Sequence, residues 1–482
     1  MFDALFTTTT EYQKLSHALS GKGACALFGL PASGRAQVYA ALCRQLDKPL
    51  CIVTPGEAEA TRFAADLNTL GIPAAVFPAR DYVLRPIEGT AREYEYCRLA
   101  VLGELVGGRL RAVAVPAEAL TQFTTPKEDF CANTRTLHAG DTLLRDDLLA
   151  ALFGAGYTRR AQVDGPGQFS VRGDIVDIFA PDQKMPVRME FWGDEIDTLH
   201  TFDLTTQRRE DAIDKFYLSP AREVLFGKPA DAAEQLRAFL AKQRGKKKTA
   251  MTDCMAADLD LLDGGAVPVN MDKYLAVRYP HPATVLDYFD DPILVAEEPA
   301  SIREADRATV YRRGEELKSL ILDGVLCAGL DNLYADPSYL WSKTGHYRTI
   351  CAENFARSMP DQPLKDIINA PAHTLPAWNG EVAGLLEDLK PLCDAGYTVT
   401  LLAGTDRAAA GLARDLRDKG ILVTTDAAAA PAAGLVQVLA GHLSAGCEFP
   451  FAKYALLTGR AFGETSSQKK KRKKAKDALN SL

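Results

Sequence analysis

The order of apolar runs along the first 120 residues is the feature that most restricts the fold of this chain. Four short apolar runs, at 24–28, 50–53, 74–77 and 112–115, are separated by segments long enough for one helix each. Such alternation is typical of parallel strands joined by crossover helices. The segment 92–106 carries apolar residues at the spacing of one helical face. The sequence therefore predicts a doubly wound α/β unit here.

The pattern then changes twice. From Phe169 to Phe191 apolar residues alternate with period two, which predicts a half-exposed antiparallel sheet. α/β patterning returns with a helix at 232–242 and a strand at 293–296. A further unit follows, with predicted helices at 385–392 and 407–416 and strands at 398–402, 435–439 and 455–457. The predicted fold class is a multi-domain α/β chain whose first module is interrupted by a small antiparallel α+β domain.

Charge and composition limit the function. The net charge is −7, yet residues 461–482 alone carry +5, so the rest of the chain is acidic and suits protein partners better than general phosphate binding. No apolar run has the length of a membrane helix and the start has no signal-peptide pattern, so we expect a cytoplasmic protein. The ten cysteines contain no CxxC and the seven histidines are scattered, so no metal site is expected and the thiols are predicted to be buried and reduced.

A degenerate phosphate loop follows the first predicted strand. Gly29 and Gly34 have the spacing of the G-x-x-x-x-G-K-[ST] loop between a strand and a helix, but Arg35 and Ala36 replace the lysine and the magnesium-binding hydroxyl. The nearest acidic pair, Glu297-Glu298, is predicted to lie in another unit. The loop is therefore interpreted as structural or as a weak anion site, without nucleotide hydrolysis.

Arg172 is the second candidate functional residue. Strand alternation places it on the face opposite Val171, so it points away from the core, and Gly173 allows the chain to bend directly after it. An exposed arginine on a rigid sheet is a natural interface anchor. The alternative is a purely structural role, with Arg172 paired to a neighbouring carboxylate such as Asp174 or Glu190. The basic run 244–248 is assigned to a solvated loop, with nucleic-acid contact as its alternative.

Several segments, in this order, resemble one known family. They lie at 29–36, 77–82, 98–102, 169–179, 191–196, 279–289, 441–446 and 459–463. They are similar to the N-terminal part of bacterial transcription-repair coupling factors, which includes a module shared with the excision-repair helicase UvrB. The resemblance covers nearly the whole chain.

The resemblance implies a domain plan and partners. The plan is domain 1a at 1–122, a UvrA-binding domain 2 at 123–217, domain 1b at 218–346, domain 3 at 347–464 and a basic linker at 465–482. It implies UvrA contacts at Arg172, Arg159, Arg160, Phe169 and Gly173. It implies no catalytic residue, metal or cofactor in this chain, because ATP and magnesium belong to the family's motor. RNA polymerase and double-stranded DNA would bind further domains of the family, and the motor would contact this region within the same molecule.

Two other functions stay open. One is a UvrB-like ATP-dependent helicase, which the changes at Arg35 and Ala36 disfavour. Between Val53 and Val115 there are only three tyrosines and no long insertion that could form a DNA-wedging hairpin. The other is nonspecific DNA binding through Lys246–Lys248 and the basic tail.

Overall fold

The computed structural model describes residues 5, 7–87, 91–355, 363–378, 382–430 and 432–459. The strands are β1 Gly23–Phe28, β2 Leu50–Thr54, β3 Ala74–Val76, β4 Ala112–Pro116, β5 Arg135–His138, β6 Thr158–Arg159, β7 Gln168–Arg172, β8 Ile175–Phe179, β9 Val187–Trp192, β10 Glu195–Phe202, β11 Arg209–Ala212, β12 Lys215–Leu218, β13 Ile293–Glu297, β14 Arg348–Glu353, β15 Leu364–Asn369, β16 His373–Leu375, β17 Thr398–Leu402, β18 Val423–Thr424, β19 Val436–Leu439, β20 Gly446–Phe449 and β21 Tyr454–Thr458. The helices are α1 Thr10–Ala18, α2 Ala32–Leu46, α3 Glu57–Thr69, α4 Glu93–Val106, α5 Ala117–Leu120, α6 Lys127–Ala132, α7 Arg145–Gly154, α8 Pro229–Ala241, α9 Gly245–Asp263, α10 Leu275–Arg278, α11 Pro299–Leu322, α12 Tyr339–Lys343, α13 Val382–Asp394 and α14 Asp406–Asp418.

A parallel sheet of seven strands forms the first α/β unit. Its order is β15-β1-β14-β13-β2-β4-β3, and every neighbouring pair is parallel. Both faces are covered by packed side chains, which explains why the runs of β1, β2 and β4 are apolar without alternation. The four predicted strands and the helix at 92–106, observed as α4, are confirmed.

The middle of this sheet comes from the second half of the chain. β13 pairs with β2, and β14 lies between β13 and β1, so the module resumes after the antiparallel domain. β14 and β15 follow residue 346, so this sheet continues beyond the boundary drawn there between domains 1b and 3. The fold class, a multi-domain α/β chain, is confirmed.

The interrupting segment forms a six-stranded sheet in the order β11-β10-β9-β8-β7-β6, antiparallel except for the β6–β7 pair. One face packs on α7 and on the two-stranded β5–β12 sheet through buried apolar residues that include Phe169, Ile178 and Met189. This confirms the predicted period-two pattern. The opposite face carries the polar residues of the same strands.

The basic run 244–248 does not lie in a loop, so that prediction is wrong. Gly245 has φ +60° and starts α9, whose first turn contains Lys246, Lys247 and Lys248. Helix continues because Met251, Met255 and Leu262 follow at helical spacing and are buried against the neighbouring helix and loops. The three lysines are exposed.

The third unit of the fold, the second with α/β architecture, contains the six-stranded sheet β16-β20-β21-β17-β19-β18. The predicted helices and strands of this unit are confirmed as α13, α14, β17, β19 and β21. The unit packs on the first through Ser444, whose main-chain N–H and hydroxyl donate to Asp66 at 2.8 and 2.6 Å. Among the described residues, no helix combines the length and apolar character needed to cross a membrane.

All ten cysteines are free thiols. Six of them are buried, which confirms the predicted environment for those six. Cys97 and Cys131 are exposed, so the prediction of burial is wrong for these two. In the described ranges, no three histidine, cysteine or acidic side chains come together as a possible metal site.

Candidate functional site

The phosphate-loop segment lies between β1 and α2, as the sequence indicates. Gly29 has φ +89°, and a Cβ there would lie about 3.1 Å from the carbonyl oxygen of Ala370. At the other glycine of the loop, Gly34, a Cβ would lie 2.8 Å from the Sγ of Cys447 on β20. The third unit therefore packs directly on the first turn of α2.

Arg35 is buried in an ion pair rather than facing an open loop. Its guanidinium lies 3.0 Å from Glu297 and 2.9 Å from Glu298, and the Tyr39 hydroxyl donates to Glu297 at 2.5 Å. Burial alone would lower the pKa of Arg35, but the two carboxylates raise it, so the guanidinium stays charged. Burial raises the pKa of Glu297, although Arg35 opposes this.

The prediction that Glu297 and Glu298 belong to another unit is therefore wrong. Because β13 pairs with β2 and β14 in the first sheet, its carboxyl end meets the start of α2 at the same edge. Ala36 is fully buried and offers no hydroxyl. The loop thus holds a charge pair made within the chain, at the position where a nucleotide-binding loop would present its cation.

The second site lies on the polar face of the six-stranded sheet. Arg172 ends β7, its side chain is 47% exposed, and its Nη2 atom lies 2.6 Å from Oδ2 of Asp177 on β8. The exposure of the Arg172 side chain agrees with the prediction that it points away from the core. Its partner is Asp177 and not Asp174 or Glu190, which pair instead with Arg145 and Arg209.

Asp177 is buried and is held by a second arginine. Arg188 on β9 donates to both carboxylate oxygens, from Nε at 2.7 Å and from Nη2 at 2.9 Å. The Arg188 guanidinium also stacks over the ring of Phe202 at 4.6 Å. The strand register explains these contacts, because Ser170, Asp177 and Arg188 lie opposite one another on β7, β8 and β9. Arg188 therefore holds in place the carboxylate with which Arg172 pairs.

Trp192 is a residue of this face that the sequence reasoning missed. It ends β9 with its side chain 82% exposed, beside the Gly193-Asp194 turn. The signal was available: because Val187, Met189 and Phe191 point into the core, Arg188, Glu190 and Trp192 must point outward. We call the surface that exposes Arg172 and Trp192, above the buried pair Asp177–Arg188, the outer face.

The other predicted contact residues lie on β7 or next to it. Arg159 and Arg160 are exposed at the sheet edge, and neither side chain makes an ion pair with a described residue. Gly173 has φ +62° and open space where a Cβ would lie, so it supplies the turn after Arg172. Phe169 is fully buried and packs edge-on against Phe153, so it supports the strand from the core side.

Comparison with known proteins assigns this sheet to a family. Residues 136–224 match the family model described as the UvrB interaction domain. This range contains β6 to β12 and all of β5 except Arg135, and therefore the outer face.

Most of the chain is similar to one group of curated proteins. It is 26% identical over 459 residues to the transcription-repair-coupling factor of Bacillus subtilis (strain 168), which covers 93% of this chain and 39% of that relative. The corresponding proteins of Staphylococcus haemolyticus (strain JCSC1435) and Staphylococcus aureus (strain MRSA252) are 25% and 24% identical over 94% and 99% of this chain. The chain spans about two fifths of the length of these relatives. The predicted resemblance is confirmed: the chain is a homologue of the transcription-repair-coupling factors and contains a UvrB interaction domain.

Proposed function

We propose that this chain binds UvrA through the outer face of its UvrB interaction domain, and so recruits the nucleotide excision repair machinery during transcription-coupled repair. The single observation that carries this proposal is the presence of two exposed anchor residues on the same face of one sheet. Arg172 and Trp192 both project from the outer face. Arginine and tryptophan are among the residues that contribute most to the free energy of protein association.

The orientation of Arg172 supports the same proposal. Its partner Asp177 is buried and already neutralised by Arg188, so the Arg172 guanidinium has donors left for an acidic group of a partner. An arginine held by a buried carboxylate loses less side-chain entropy on binding than a freely moving one. The outer face is thus preorganised for a partner that presents a carboxylate beside an apolar pocket for Trp192.

We propose further that the chain hydrolyses no ATP. The Arg35 guanidinium is engaged by Glu297 and Glu298, and Ala36 cannot bind magnesium. In this proposal RNA polymerase and double-stranded DNA bind domains found in the longer relatives, whose motor contacts the present region and regulates the exposure of the outer face.

Isothermal titration of purified UvrA into the full chain tests the proposal. We expect Arg172→Ala and Trp192→Ala each to raise the dissociation constant about 30-fold, as for loss of a central interface anchor. Arg135→Ala is the matched control, because Arg135 is an exposed arginine on β5, outside the outer face. Unchanged affinity in both outer-face variants would overturn the assignment of the surface.

A further inference from the structure

An open groove of about 560 Å³ lies on the first α/β unit. Its residues are distant in sequence from those of the outer face. It runs between α11 and the start of α12, and its walls include Val310, Tyr311 and Trp341. Tyr311 is 76% exposed, and Val310 is also exposed. Exposed apolar side chains around a concave surface indicate a binding site more strongly than single exposed residues do.

The floor of the groove contains a carboxylate without a partner. Asp306 is only 9% exposed, lines the groove, and makes no hydrogen bond or ion pair with any described residue. Its carboxylate lines an open groove, so a donor that enters the groove can reach it. Such a group at the bottom of an apolar groove indicates that a donor arrives with a ligand.

A buried donor accompanies this acceptor. The Arg303 guanidinium stacks over the Trp341 ring at 4.3 Å, and its Nη2 atom is buried without a hydrogen-bond acceptor. Arg303 and Asp306 both line the groove, so a buried donor without an acceptor and a carboxylate that can accept lie along the same helix. Arg307, at the rim, is exposed and also forms no ion pair within the described ranges.

The charged side chains that line the groove determine which kind of hydrogen-bond donor can bind there. Two arginines flank one carboxylate, so a cationic ligand would be repelled, whereas a neutral N–H can donate to Asp306 without that penalty. A peptide group offers a neutral donor and a carbonyl acceptor together. The unpaired guanidinium of Arg307 favours an acidic side chain beside them.

We propose that this groove binds a polypeptide segment of a partner protein that carries an apolar side chain next to an acidic one. The apolar side chain lies between Tyr311 and Trp341, a main-chain N–H donates to Asp306, and a carbonyl accepts from Arg303. The acidic side chain pairs with Arg307. This site is separate from the outer face and does not depend on binding of UvrA.

The probe is a library of random twelve-residue peptides displayed on phage and selected on the immobilised full chain. The enriched peptide is then synthesised and titrated against each variant. We expect an apolar residue beside Asp or Glu in the selected sequence, and at least about tenfold weaker binding by Tyr311→Glu and by Arg307→Glu. Leu322→Glu is the matched control, because Leu322 is 78% exposed on the same helix but does not line the groove.

Asp306→Leu separates binding from folding. This variant removes a mostly buried charge, so we expect an equal or higher melting temperature together with at least about tenfold weaker peptide binding. Selected peptides that bind Tyr311→Glu as tightly as the wild type would overturn the proposal, as would failure to enrich any peptide. A concentration-dependent dimer that Tyr311→Glu abolishes would also overturn it, by showing that a second copy of the chain occupies the groove.

Discussion

Arg172 and Asp177 form a close pair whose two members have opposite environments. The side chain of Asp177 is 1% exposed, while that of Arg172 is nearly half exposed, and 2.6 Å separates their charged atoms. Arg188 makes two further hydrogen bonds to the same carboxylate. Asp177 therefore belongs to the sheet and positions Arg172, whereas Arg172 belongs to the surface.

This asymmetry predicts unequal effects on stability. Asp177→Ala leaves the largely buried Arg188 without its carboxylate, and we expect a loss of about 3 kcal/mol in the free energy of unfolding of this domain. Arg172→Ala removes a half-exposed charge, and we expect a loss below about 1 kcal/mol. Native-state hydrogen exchange at the amides of β7 to β9 measures both changes in this domain. Equal losses would show that the pair is not organised as described.

The engaged state of Arg35 predicts that nucleotide binding is absent and not easily restored. We expect no saturable binding of a fluorescent ATP analogue with magnesium, for the wild type or for the double variant Arg35→Lys, Ala36→Thr. The reason is steric and electrostatic, because Ala36 is fully buried and Glu297 and Glu298 would hold the new lysine. Saturable magnesium-dependent binding by the wild type would contradict this and favour the helicase alternative.

A buried charge network joins the segment after β12 to α4 and to the segment after β3 in the first α/β unit. Glu223 accepts from Arg98 at 2.5 Å and from Arg80 at 3.2 Å, and all three side chains are buried. Glu223→Ala leaves two buried guanidinium groups short of a partner, so we expect a loss of about 3–5 kcal/mol in the free energy of unfolding.

The exposed pair Glu104–Arg109 provides the control for that network. Glu104→Ala breaks an ion pair of 2.8 Å between two exposed side chains, and we expect a loss below about 1 kcal/mol. Chemical denaturation of the two variants under one condition gives the comparison. A loss at Glu223 as small as that at Glu104 would show that the network does not stabilise the junction.

Asp306 predicts a pH-dependent effect of removing one charge. Burial raises its pKa from 3.8 to about 6 in the folded chain, against an opposing effect of Arg313. Arg303 and Arg307 also line the groove beside it. Because the folded pKa is raised, ionised Asp306 destabilises the fold fully above pH 6, and this penalty fades as the pH falls toward 4.

The corresponding measurement compares Asp306→Asn with the wild type by urea unfolding at pH 8 and pH 5. We expect Asn to be more favourable, relative to Asp, by about 1–2 kcal/mol at pH 8 than at pH 5. A difference between the two proteins that is the same at both pH values would show that Asp306 titrates as an ordinary surface carboxylate.

Local pattern was sufficient for β1 to β4 and β13 of the first sheet, because strands buried on both faces must be apolar, as β2 and β4 are. It did not predict β14 and β15, the other two strands of that sheet. It was insufficient where partners are distant in sequence. Arg35 and Glu297 meet only because β13 inserts beside β2, which depends on the sheet order. The helix at 245–263 was missed because a run of lysines hid the apolar spacing of Met251 and Met255.

Alternation predicted the direction of Arg172 but not its partner. Which carboxylate it meets depends on the register between β7 and β8, where Ser170 lies opposite Asp177. Trp192 could have been found by the same alternation, applied to β9.

Hydrogen exchange with and without UvrA tests the central claim most directly, because it locates the contact without altering the chain. At saturating UvrA we expect slower exchange at the two turns that flank the outer face, 173–174 and 193–194, and in β7 to β9. We expect no change in the third unit of the fold at 398–458. A stable complex with unchanged exchange throughout 168–194 would contradict binding through the outer face.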